Sequence, residues 1–250
     1  MKPDRPRRTA EPPQLPLALR YPADQRLETF VDLPAGVADQ LRALAGGAAG
    51  STYIAGARGT GKTHLLLATC ALAHGTGRRA AYLPLASAAG RLGEALDALE
   101  GNDLVALDGL EAVAGSRPDE LALFDAHNRA TAAGARLLYA ARGNPDELPP
   151  GLPDLRSRLS QCTRIILQPL DEEGRREVLR QRARRRGWVL EEAALDWLLR
   201  RVERDLAGLT ALLDRLDRAS LAAKRRITVP FLREILAEAP GVPVDPHQHR

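Results

Sequence analysis

Apolar side chains are sparse over residues 1–24, fall into short runs over residues 25–170, and recur at helical spacing beyond residue 171. In the middle stretch the runs alternate between two kinds. Residues 51–55, 79–85, 103–107, 136–140 and 164–167 are compact and apolar, the signature of buried strands. Residues 37–45, 62–74, 87–100 and 118–133 carry apolar positions at helical spacing, and Pro118 stands where a helix start tolerates a missing N–H. Strands alternating with helices at this interval predict a mostly parallel sheet covered on both faces. After Pro169 and Leu170 the strand signals stop, and residues 171–186, 191–202, 205–222 and 230–238 read as helices. Within them Leu206, Leu209, Leu213 and Leu216 keep the three- and four-residue spacing of one apolar face. The predicted organisation is a flexible tail over 1–24, an α/β base over 25–170, an all-helical lid over 171–240 and a flexible C-terminus over 241–250.

The tail holds six prolines and scattered arginines, a composition that does not bury a core. Within it residues 14–19, which include Gln14, Leu15, Leu17 and Leu19, are too short and proline-broken for a helix or core strand. Prolines also occupy the place where an export signal needs an apolar segment. No apolar run approaches the roughly 18 residues that a membrane span requires. Cys70 and Cys162 have no metal-ligand spacing, and a reduced cytoplasmic setting is expected.

The net charge is +4, from 36 basic and 32 acidic residues, an excess too small and too dispersed to predict strong direct DNA binding. Aromatic residues are 4% of the chain, which leaves no stacking surface for single strands. The seven arginines of residues 175–186 have Glu172, Glu173 and Glu177 beside or among them, so a solvated helix face is expected there rather than a DNA grip. Only Lys2, Lys62 and Lys224 among the basic residues are lysines. A chain that prefers arginine this strongly keeps a lysine in its glycine-rich loop, where a compact ammonium fits and a guanidinium does not.

That loop, Gly56-Ala57-Arg58-Gly59-Thr60-Gly61-Lys62-Thr63, fits GxxxxGK(S/T) completely, follows a predicted strand and opens a predicted helix. Its backbone N–H groups would wrap phosphates at the positive end of the helix. Lys62 would reach the β- and γ-phosphates and Thr63 would hold Mg²⁺, so Gly56, Gly59, Thr60, Gly61, Lys62, Thr63 and the adjoining His64 are the nucleotide-site candidates. The apolar run ending in Asp108 reads as a second metal-side strand, with Asp108 contacting Mg²⁺ through water. The next residue, Gly109, stands where ATPases of this type commonly carry the acid that orients the attacking water, so weak or absent hydrolysis of the chain's own ATP is expected. Arg156 and Arg158, before the last strand, could include an arginine finger or be exposed surface charge. Arg204 could reach the phosphates from the lid or form a helix-start salt bridge. Trp188 and Trp197 sit in apolar helical contexts and are expected in the lid core.

With these motifs in place, the sequence resembles the AAA+ domain of the bacterial replication initiator DnaA, and more closely the regulatory inactivators of DnaA, the Hda family. The P-loop, the Asp108 strand, residues 151–158, residues 213–220 and the helical lid carry the resemblance, which runs from the tail to about residue 236. Residues 14–19 are similar to the QLxLPL-type peptide with which that family docks on the replication sliding clamp. Little sequence follows residues 227–231, where DnaA continues into a helix-turn-helix DNA-binding domain. The resemblance implies a P-loop AAA+ parallel-sheet base with a C-terminal all-helical lid. It makes Arg158 the arginine finger acting in trans, Arg204 the lid sensor arginine, and Gln14, Leu15, Leu17 and Leu19 the clamp contacts. The implied ligands are ADP or ATP with Mg²⁺, and the implied partners are the DNA-loaded sliding clamp and ATP-bound DnaA, with room for a homo-oligomer and no membrane.

The function so implied is regulatory: an ADP-bound molecule tethered to the clamp stimulates hydrolysis of DnaA-bound ATP and prevents re-initiation. Two other readings are a helicase-loader-type AAA+ binding module, against which the clamp-like peptide weighs, and an ordinary DNA-acting ATPase, against which Gly109 weighs.

Overall fold

The computed structural model describes residues 21, 25–148, 151–201, 228–230 and 232–233. Five parallel strands, β1 (Thr52–Gly56), β2 (Ala80–Pro84), β3 (Leu104–Asp108), β4 (Arg136–Ala141) and β5 (Thr163–Leu167), form one sheet in the order β2-β3-β4-β1-β5. Interior strands of a parallel sheet have both faces covered and read as continuous apolar runs. That holds here, because β1 is buried throughout and β3 is buried up to Asp108.

Alternation along each strand divides the core between the two faces. Tyr53, Val105, Leu107, Leu137 and Tyr139 point to one side, where they pack with residues of α3 (Leu92–Asp97), α4 (Arg117–Ala132) and α5 (Pro153–Ser160). Ile54, Leu104, Ala106, Leu138 and Ile165 point to the other, against α1 (Val37–Gly46) and α2 (Lys62–Gly75). Helix α1 shows the rule by which it packs: Val37, Leu41, Leu44 and Ala45 lie on one face and are the buried ones. Beyond the sheet come α6 (Glu172–Arg185) and α7 (Glu192–Arg201). Asp171 caps α6 by accepting the N–H of Gly174 at 2.8 Å. No helix among the described residues is long and apolar enough to cross a membrane.

Three expectations need correction. The helix expected over residues 87–100 is confined to α3, preceded by a 3-10 turn at Leu85–Ser87. The buried carboxylate of Asp119, reaching across from α4, accepts the N–H groups of Gly90 and Leu92, so this backbone is held outside a helix until Leu92. Residues 153–160, expected only as a surface segment before a strand, form α5, with Leu155 and Leu159 buried one turn apart. Trp188 and Trp197, expected in the lid core, are each only half-buried, and the Arg186 guanidinium lies 5.5 Å from the Trp188 ring centre. The segments 205–222 and 234–238 of the expected lid helices, and residues 14–19, lie outside the described residues.

Candidate nucleotide-binding site

Strands β1 and β3 flank β4, and the loops leaving their C-terminal ends converge. Ligands of open α/β sheets bind at that edge. The loop after β1 delivers the P-loop, with Gly61 immediately before α2 at φ +91°. A Cβ at Gly61 would sit 2.5 Å from the ring of Phe30, so any other residue would strain the left-handed backbone and displace that ring. Lys62 folds back over the loop and donates to the carbonyls of Gly56 at 2.6 Å and Ala57 at 2.8 Å. Burial lowers its pKa, the Glu111 and Asp108 carboxylates oppose that shift, and Arg142 adds to it. Thr60 is buried within the loop and donates to the carbonyl of Ala57 at 2.9 Å.

Asp108 closes β3 beside the start of α2. Its Oδ2 accepts the Thr63 hydroxyl at 2.6 Å and the Tyr82 hydroxyl, from β2, at 2.8 Å. Thr63 and Asp108 thus place two hard oxygen ligands together, the chemistry Mg²⁺ selects while keeping several waters. Gly109 follows at φ +83°, a left-handed conformation that suits glycine. The nearest acid is Glu111, in the 3-10 turn Leu110–Ala112. It pairs with Arg142, the first residue after β4, at 3.0 Å from Nε, and accepts the Arg142 backbone N–H at 3.2 Å.

His64 lines the same cleft as the P-loop and is engaged by the segment that precedes α1. Its Nε2 lies 2.7 Å from the carbonyl of Arg26, an acceptor, so the ring donates there. Its ring meets Phe30 edge-on at 5.2 Å. These contacts fasten the segment 25–31 across the start of α2. The resulting cleft, about 380 Å³, is lined by the P-loop, Asp108, Glu111 and Arg142 at one end. Gln25, Phe30, Val31, Leu170 and Val178 also line it, with Gln181, Arg182 and Arg185 of α6. The arginine run of the lid therefore divides. Arg176 and Arg180 tie α6 to α7 through Glu192 and Asp196, and Arg182 and Arg185 turn to the cleft.

Arg158 is exposed on α5, and Arg156 is half-buried. The helix beneath them is anchored twice. Leu155 and Leu159 enter the core, and buried Glu120 accepts the N–H groups of Leu152 at 2.8 Å and Gly115 at 2.7 Å. Arg204 and the tail residues Gln14, Leu15, Leu17 and Leu19 lie outside the described residues. The contributions of Tyr82, Glu111, Arg142, Glu120 and the lid residues were not anticipated. Glu111 was the most accessible of them, as the first acid after Asp108 in the sequence.

Residues 171–236 match the family model described as Hda, lid domain. The fold is similar to that of domain III of the Thermotoga maritima replication initiation protein DnaA. That match has a TM-score of 0.71 and 21% identity, over 88% of this chain and 98% of that one. AMPPCP-bound DnaA from Aquifex aeolicus matches with a TM-score of 0.64 and 22% identity, over 82% of this chain and 69% of that one. The Thermotoga maritima RuvB Holliday junction branch migration motor matches with a TM-score of 0.61 and 19% identity, over 85% and 71%. The chain thus has the fold of DnaA domain III, and its segment 171–236 matches the Hda lid model.

Proposed function

We propose that this protein regulates replication initiation by switching DnaA from its ATP form to its ADP form. The P-loop, Lys62, Thr63 and Asp108 hold ADP or ATP with Mg²⁺, and Arg204 reaches the phosphates from the lid. Residues 14–19 tether the molecule to the DNA-loaded sliding clamp. Arg158 then meets the ATP held by DnaA. Its guanidinium stabilises the charge that spreads over the phosphoryl group as water attacks, an effect typically worth ~10³ to 10⁵ in rate. The observation that carries this reading is the exposure of Arg158 on a helix fixed from below by Leu155, Leu159 and Glu120. A finger acting on another molecule needs both the outward position and a rigid mount.

The test follows ATP remaining on DnaA, with clamp and DNA present. Wild type and Arg156→Ala should deplete it, and Arg158→Ala should not, while keeping its fold and nucleotide. Replacing Gln14 and Leu15 with alanine should abolish both clamp capture and stimulation. Equal stimulation by Arg158→Ala and wild type would refute the finger assignment.

A further inference from the structure

A second cavity, of about 400 Å³, lies between the sheet and the helix pair α3 and α4. It opens beside Arg79, Asp103 and Arg136, at the N-terminal ends of β2, β3 and β4, the sheet edge opposite the P-loop. It shares no residue with the nucleotide cleft. Its size falls within the roughly 300–1,000 Å³ of small-molecule sites.

Val105 and Leu107 of β3 and Leu137 of β4 form the floor, and Leu96 of α3 and Leu123 of α4 form the walls. His127 and Tyr139 complete the lining, with their rings parallel to within 11° and centroids 6.1 Å apart. Charges keep to the mouth. There Arg129 pairs with Asp97 and Glu100 at 2.7 Å each, and Arg136 donates to the carbonyls of Ala48 and Gly134. The interior carries none. Burial, with the Arg158 charge adding to it, lowers the His127 pKa, and burial raises that of Tyr139, so both rings are neutral at pH 7.

The ring pair also fixes a donor. Nδ1 of His127 lies 2.8 Å from the Tyr139 hydroxyl, which is fully buried and has no other partner among the described residues. A buried phenol proton goes to the acceptor within reach, so Nδ1 accepts and the imidazole proton sits on Nε2. Nε2 has no partner among the described residues and is not sealed from solvent. The cavity therefore combines an apolar, partly aromatic interior with one unspent N–H.

We propose that this cavity is a second ligand site, taking a flat, uncharged, largely aromatic molecule with one hydrogen-bond acceptor. The apolar body fills the space between the leucines and the ring pair, and the acceptor meets the Nε2–H of His127. A carboxylate or phosphate is excluded, because it would lose its water in an interior that offers no cation.

The test uses naphthalene, its two aza-isosteres quinoline and isoquinoline, and 2-naphthoate. Each is titrated into methyl-labelled full-length protein and followed by NMR. In wild type, naphthalene and at least one aza-isostere should shift the methyls of Leu96, Leu123 and Leu137 saturably, and 2-naphthoate should not. His127→Phe keeps a ring in the wall and removes the donor. The affinity of the aza-isostere relative to naphthalene should then fall about five-fold, the worth of one hydrogen bond. If His127→Phe does not fold, the same ratio is read on His127→Leu. Ala130→Phe adds a ring to the lining of the cavity and should abolish binding of all the probes in a folded protein. Shifts that gather at Val31 and Leu170 would place the probes in the nucleotide cleft and overturn the proposal. An affinity ratio unchanged in the folded His127 variant, or 2-naphthoate bound as tightly as naphthalene, would overturn it as well.

Discussion

The hydroxyl of Tyr82 and the hydroxyl of Thr63 both donate to one oxygen of Asp108, at 2.8 Å and 2.6 Å. Tyr82 arrives from the neighbouring edge strand, where Pro84 is paired in register with Asp108. Burial and the Asp108 charge both raise the Tyr82 pKa, so its proton stays on the phenol and the hydrogen bond to the carboxylate is kept. Tyr82 thereby fixes the direction of a carboxylate that is expected to work through a metal-bound water.

Partners of this kind commonly tune metal affinity by ~10- to 100-fold. Tyr82→Phe should therefore raise the Mg²⁺ concentration needed for tight nucleotide binding by about ten-fold, with binding in excess Mg²⁺ preserved. Titrating Mg²⁺ against a fluorescent ADP analogue on both proteins measures it. Superimposable curves would show that Tyr82 only packs.

Glu120 should matter to Arg158 without touching it. Its buried carboxylate accepts the N–H of Leu152, the residue immediately before α5, and that of Gly115. Glu120→Ala strands both donors, and each buried unsatisfied group costs about 1–3 kcal/mol. The expected result is a lower unfolding midpoint in urea. At temperatures where the variant remains folded, α5 should also show faster amide exchange than the β1 backbone. Unchanged exchange in α5 would remove Glu120 as its anchor.

The parallel sheet and the P-loop were legible because both are local signals. Apolar runs such as 104–107 have a length and composition that fix a buried strand, and eight consecutive residues specify the phosphate loop. What stayed hidden depends on contacts between distant segments. Asp119 shortens α3 from a separate helix, and nothing within residues 87–100 announces it. His64, adjacent to the P-loop in sequence, turns out to face a carbonyl 38 positions earlier. The arginines of residues 175–186 looked equivalent as a run. Helical geometry then sent Arg176 to Asp196 and Arg182 to the cleft. Helix α5 was the one miss that local pattern could have prevented, since Leu155 and Leu159 are spaced as a helical face and Pro153 suits a first turn.

His127 should make the fold sensitive to acid. It is buried with Nδ1 2.8 Å from the Tyr139 hydroxyl, and its pKa lies below 6.5 through burial first and the Arg158 charge second. A base whose folded pKa is depressed contributes stability that is intact above its unfolded value. That stability drains away as pH falls below ~6.5 towards the folded pKa. Wild type should thus lose urea stability between pH 7 and pH 5. The loss should be smaller in His127→Gln, where this titration is gone, and also smaller in Arg158→Ala, where the opposing charge is gone. A pH slope identical in all three proteins would contradict it.

The protein's own hydrolysis should be limited by the pairing of Glu111 with Arg142. Position 109 holds glycine in a left-handed conformation, so no carboxylate projects from there towards an attacking water. Glu111 is the remaining acid beside Asp108 in the cleft, and Arg142 engages it through both the side chain and the backbone N–H. Carboxylate lone pairs occupied by a guanidinium and a backbone N–H are not directed at an attacking water. Wild-type turnover should therefore lie well below the ~1 per second of ordinary enzymes. Arg142→Gln releases the side-chain contact while leaving the backbone one. General-base assistance is worth ~10²- to 10⁴-fold when well placed, and a carboxylate freed without further alignment should recover a small part of it, about ten-fold. The double variant Arg142→Gln, Glu111→Gln should fall back to the wild-type rate. Single-turnover hydrolysis of bound ATP on the three proteins, at equal nucleotide occupancy, separates the outcomes. A rise in Arg142→Gln that persists in the double variant would assign the change to lost positive charge near Lys62. No rise at all would mean that Glu111 cannot reach the water even when released.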